Sequence, residues 1–112
     1  DGEIANMLQS AFASANTDMQ ARALAEARVD ALALSTALAN ALAVDRALLS
    51  DTEFAALNSQ IAHLKTLIEG TDHRAIVRAS EALNQASTDF AGRRMDRAVR
   101  EALTGRDIAK IV

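Results

Sequence analysis

Residues 75–105, AIVRASEALNQASTDFAGRRMDRAVREALTG, join a strongly patterned helix to an arginine cluster. Ile76, Ala79, Leu83, Ala86 and Phe90 recur at alternating three- and four-residue steps, which places them on one side of a helix as a buried seam. Where that seam ends, Arg93, Arg94, Asp96, Arg97 and Arg100 follow. A helical bundle accounts for the first part, and the arginines need a second explanation.

Working outward, the composition fits the same fold. A chain of 112 residues is one domain's worth, enough to bury roughly two-thirds of the surface its unfolded form exposes. Hydrophobic residues make up 50% but aromatics only 3%, and the alanines behind that gap favour helix while adding little core volume. The expectation is an all-α protein with thin packing. Proline is absent, and the four glycines stand at positions 2, 70, 92 and 105, so most of the chain carries nothing that interrupts a helix. There is no cysteine, which excludes disulfides, thiolate metal sites and a cysteine-held iron–sulfur cluster. No run approaches the roughly 20 consecutive apolar residues of a membrane span, and no membrane partner is expected. The chain opens on Asp1 without an initiator methionine, which suggests a piece of something longer.

Charge is unevenly placed. Residues 1–89 hold six Lys/Arg against twelve Asp/Glu, and residues 90–112 hold six against three, so an acidic body carries a basic end. A single-strand nucleic-acid binder interleaves aromatics with its arginines, and this chain has no Trp or Tyr. Nucleic acid is not an expected partner.

Capping signals divide the chain. Asp1 and Glu3 suit the positive end of a helix, and Ile4, Met7, Leu8, Ala11 and Phe12 give a short first helix a wide apolar stripe. Thr17 and Gln20 have capping-box spacing, predicting a long second helix from Asp18 to about Val44 with Leu24, Ala27, Ala31, Leu34, Leu38 and Leu42 on one face. Ser50 with Glu53 is a second box, opening a helix with Phe54, Leu57, Ile61, Leu64 and Ile68 on its seam and ending at Gly70. Thr71 is placed to cap the next helix, which has a weak point between Ser87 and Gly92 and a stop at Gly105. Short loops make these helices antiparallel neighbours. The expected division is an arm over residues 1–44, a compact antiparallel bundle over 45–105 and a flexible tail over 106–112. The face made by Ile4, Met7, Leu8, Ala11 and Phe12 has no partner in the chain, which implies that something outside it covers that face.

The segment DFAGRRMDRAVREALTG at 89–105, with EIANMLQSAFASANTDMQARALAEARVDA at 3–31 and ALAVDRALLSDTE at 41–53, resembles the C-terminal end of the HscA branch of DnaK-type heat-shock chaperones. Its members end in a similar DFAxRRMD segment, and their helical lid opens on EIxxM with an ARxLAE stretch. The resemblance covers essentially all 112 residues, and its RRMD part is the most specific to this branch. It implies that the chain is the helical lid of a substrate-binding domain. Ile4, Met7, Leu8, Ala11 and Phe12 would pack on the parent chaperone's own β-sandwich. It also implies an iron–sulfur scaffold protein as client, a J-domain co-chaperone, a bacterial cytoplasmic location, and ATP with magnesium in a parent domain outside this chain. No cofactor is implied for the chain itself. General lids carry polar latch residues on the second helix, whereas Leu32 and Thr36 stand at those positions here, implying an apolar hold.

Other readings weaken against these. Glu69, Asp72 and His73 lie near the Gly70 turn, but there is no ExxH pair of the di-iron kind, and His63 lies a helix away. No glycine-flanked nucleophile with a base appears, so the chain is not read as an enzyme. Arg93, Arg94, Arg97 and Arg100 have two accounts. One is a solvated face paired one turn away, as Asp89 with Arg93, Asp96 with Arg100 and Arg97 with Glu101. The other is a docking surface for another domain or protein. Two functions remain open: a lid that gates client release, or a freestanding helical adaptor that binds a partner helix through its first-helix face. In the isolated chain the uncovered face is expected either to bury itself against a second copy or to stay mobile.

Overall fold

The computed structural model describes residues 2–111, with side chains to residue 105. Four helices, with no strand among the described residues, make up the fold: α1 Gly2–Val44, α2 Asp51–Ile68, α3 His73–Ala86 and α4 Thr88–Ile111, with a 3₁₀ turn at Arg46–Leu48 between the first two. The all-α expectation holds.

The two helices expected before Val44 are one. Thr17 does not cap: its hydroxyl donates to the carbonyl of Ala13 across 2.9 Å, the back-bond of a Thr inside a helix. With no glycine or proline between residues 3 and 69, nothing outweighs the helix preference of the alanines. The result is a 43-residue helix, roughly 64 Å long at 1.5 Å per residue.

Only its second half joins the core. Ala27, Ala31, Leu38, Ala41 and Leu42 are buried with Leu57, Ile61 and Leu64 of α2 and Ile76 and Leu83 of α3, with Leu24 and Leu34 half-buried beside them. The bundle therefore begins near Leu24, inside α1, and not at residue 45. Residues 2–22 are exposed throughout. The radius of gyration is 22.1 Å and the extents are 86 × 32 × 16 Å, where a compact chain of this length has a radius of about 13 Å. With its charge-free stretch 31–44, α1 is long and apolar enough to cross a membrane by length and composition alone. Ala31, Leu38, Ala41 and Leu42 of that stretch are instead buried in the core seam.

Caps fix the remaining boundaries. Ser50 Oγ accepts from the Glu53 amide at 3.1 Å and Glu53 Oε1 accepts from the Ser50 amide at 2.9 Å, the expected reciprocal box. At the other end of α2, Arg28 of α1 donates to the carbonyls of Ile68 at 3.0 Å and Gly70 at 2.7 Å, satisfying acceptors that the helix end leaves free. A Cβ at Gly70 would stand 3.3 Å from the Leu67 carbonyl oxygen, so that turn favours a residue without one. Asp72, not Thr71, caps α3, its carboxylate accepting from the Ala75 amide at 3.1 Å. A shorter acceptor arm at Thr71 loses to a carboxylate one residue nearer the first helical amides.

The weak point after α3 is a break at Ser87. The hydroxyls of Ser87 and Thr88 both donate to the Asn84 carbonyl, at 3.0 and 3.1 Å, drawing that acceptor out of the regular ladder. The break also shifts the seam: Ser87 is buried and Ala86 is exposed, while Phe90 reaches the core from α4. Gly105 does not stop α4, which runs to Ile111, and no glycine among the described residues has a positive φ. The segment expected as a flexible tail over 106–112 continues α4 as far as Ile111, while its side chains and Val112 lie outside the described residues.

Candidate functional site

Two surfaces stand out, and neither holds a catalytic constellation. The first is the arm. Ile4, Met7, Leu8 and Phe12 are 61, 72, 58 and 77% exposed, and Ala11 is exposed between them. At 3.6 residues per turn, their stripe lies roughly 150° around α1 from the seam of Ala27, Ala31 and Leu38, so the bundle stands almost behind it. Ala15 and Met19 continue the stripe toward the bundle, and both are exposed. A helix of this length with one unpartnered apolar face is a contact surface in want of a neighbour.

The second surface is the arginine cluster, which the fold turns inward. Arg93 grips Glu53 with two nitrogens, Nη1 to Oε1 at 3.1 Å and Nη2 to Oε2 at 2.8 Å, and Nη1 also donates to the Leu48 carbonyl at 2.8 Å. Arg94 Nε donates to Asp45 Oδ2 at 2.6 Å. Arg97 Nη1 donates to Asp45 Oδ1, and its Nε donates to Glu101 at 3.1 Å. Arg100 is exposed and makes no ion pair with a described residue. Of the pairs expected one turn apart, only Arg97 with Glu101 forms a salt bridge among the described residues.

These contacts hold α4 to the corner where α1 passes into α2. The Asp45 side chain is only 10% exposed, and two guanidiniums satisfy both of its oxygens. Its own backbone is fixed by Asp45 N to Ala41 O at 2.9 Å and Leu48 N to Asp45 O at 3.0 Å. The bidentate bond from Arg93, then those from Ser50, hold the Glu53 carboxyl well below its usual range, at about 2. Glu53 raises the Arg93 pKa in return. Arg46 completes the corner, lying 4.1 Å over the Phe54 ring, pairing with Asp51 and donating to the Leu49 carbonyl at 3.0 Å.

Sequence reasoning found the arginines and missed their partners. Asp45 follows the apolar run ALAV and directly precedes Arg46, so in sequence it reads as half of a neighbouring charge pair and gives no signal that α4 arginines reach it. Glu53 was recognisable as a capping residue but not as one serving two helices. Arg28 gave no local signal, since its acceptors lie about forty residues away.

Residues 1–96 match the family described as "Hsp70 protein". The "Chaperone protein HscA homolog" of Ralstonia pickettii is 50% identical over 111 residues, 99% of this chain and 18% of that relative. The homolog of the same name from Janthinobacterium is 47% identical, and "Chaperone protein HscA" of Yersinia enterocolitica 43%, each with the same coverage. The chain thus spans about 18% of the length of the curated relatives it matches. With a match over most of its residues, the chain belongs to the Hsp70 family of chaperones.

Proposed function

We propose that this chain is the helical lid of an HscA-like chaperone, gating the release of a client during iron–sulfur cluster assembly. The observation that carries the reading is the exposed stripe of Ile4, Met7, Leu8, Ala11 and Phe12, projecting ahead of a bundle that leaves it uncovered. In the intact chaperone the stripe lies on the β-sandwich that grips the client, and the bundle rides behind it. Closure adds a barrier to escape and so acts on the rate of client release. ATP and magnesium act elsewhere in the parent protein, biasing the lid between states. The client is an iron–sulfur scaffold protein, delivered by a J-domain co-chaperone in the bacterial cytoplasm.

Leu32 and Thr36 are exposed on the outer side of α1, which supports a lid held by apolar contact. Salt screens exposed ion pairs and leaves apolar contact intact, so client release from the intact chaperone should change little between low and high salt.

The test is made in the intact chaperone carrying Leu8→Asp and Phe12→Asp. A fluorescent peptide with the scaffold's recognition segment should leave at least about tenfold faster, with basal ATP hydrolysis unchanged. An unaltered release rate would remove the lid reading.

A further inference from the structure

The arm stripe has an internal symmetry that general coverage of a neighbouring surface does not require. Its exposed apolar members are Ile4, Leu8, Ala11, Phe12, Ala15 and Met19, with Met7 at one edge. Reflected about the midpoint between Ala11 and Phe12, position 4 falls on 19, 8 on 15 and 11 on 12. An antiparallel second helix in that register sets Leu8 against Ala15, Ala11 against Phe12, and Ile4 against Met19. In the two central layers a large side chain meets a small one, the arrangement that lets facing helices interdigitate.

We infer that the arm pairs with the arm of a second copy of this chain, antiparallel, about a two-fold axis between Ala11 and Phe12. The bundle permits it. Its seam lies almost behind the stripe, so a helix laid along residues 2–22 meets none of its own chain's core. The same face cannot cover a sandwich and a second arm at once, so self-pairing marks the uncovered state. The inference does not rest on the lid reading and survives its failure.

Size sets the strength. Five large side chains per arm, each burying on the order of 100 Å², give a pair of arms about 1,000 Å². That is the lower edge of a specific interface, so the dimer forms and dissociates with concentration and is not obligate.

The test uses the 112-residue chain, which has no native cysteine. Sedimentation equilibrium should show a monomer–dimer exchange in the micromolar range, abolished by Phe12→Asp with the helicity and melting of the bundle unchanged. Single cysteines then fix the register. Ala11→Cys lies beside its own copy near the axis and should oxidise to a linked dimer, whereas the two copies of Ala15→Cys lie about 10 Å apart along the helix and should not. Mixing Ala15→Cys with Leu8→Cys should restore linking. A monomer up to about 500 µM, or Ala15→Cys alone linking as readily as Ala11→Cys, would overturn the proposal, the second by showing a parallel pair.

Discussion

Arg94 donates from Nε to Asp45 Oδ2 across 2.6 Å and forty-nine residues of chain, and Arg97 reaches the other oxygen of the same carboxylate. One acid thereby fixes the angle at which α4 leaves the bundle. Of the described residues of α4, Phe90 alone is buried, so apolar packing anchors its first turn and ion pairs anchor the next two.

Asp45→Ala should destabilise the protein by about 2 kcal/mol, since hydrogen bonds to charged groups are each worth 1.5–3 and both arginines regain water once freed. Urea unfolding measures the loss. Hydrogen exchange should quicken in α4 from residue 91 onward and stay slow in α2. If exchange in α4 does not change, the carboxylate is not what holds that helix.

Acid should loosen the same corner through Glu53. Its carboxyl titrates at about 2 in the folded protein against 4.5 for the free group. A depressed folded value contributes stability that is complete above the unfolded value and lost as pH falls through the folded one. The Glu53 contribution should therefore be intact at pH 6 and vanish between about pH 4.5 and pH 2. Glu53→Gln should flatten that segment of the stability profile.

Phe90→Ala should cost about 3–5 kcal/mol, because it empties a fully buried aromatic site. Phe54 lies on the predicted α2 seam but is half-buried beneath Arg46. Its truncation should cost about half as much. Denaturant midpoints of the two variants decide the order, and a larger loss at Phe54 would contradict the packing described.

Ser35 sits in the core with 0% exposure and its Oγ makes no hydrogen bond. Ser35→Ala removes an unsatisfied polar atom without opening a cavity and should stabilise by about 1 kcal/mol. A lower melting temperature for this variant would mean that the hydroxyl has a partner after all.

The helical class and nearly all of the core were legible because they follow from spacing. Leu38, Leu57, Ile61, Leu64, Ile76 and Leu83 were placed by three- and four-residue steps alone, and each is buried. The failures came where two local signals competed. At Thr17 a capping pattern met an unbroken alanine-rich context, and the helix prevailed. At Ser87 two adjacent hydroxyls broke a helix whose apolar period ran on, moving the seam by one residue. The arginine partners were illegible for a different reason: Asp45 and Glu53 are brought to them by tertiary approach, which no local spacing encodes. The exposure of the arm, by contrast, was foreseeable from an apolar stripe with nothing left to meet it.

The unbroken passage of α1 through Thr17 has a mechanical consequence. Phe12 and Leu42 belong to one rod, about 45 Å apart, so a pull on the first swings the second with no joint between to absorb it. Whatever seizes the tip steers the whole body as a tiller steers a hull.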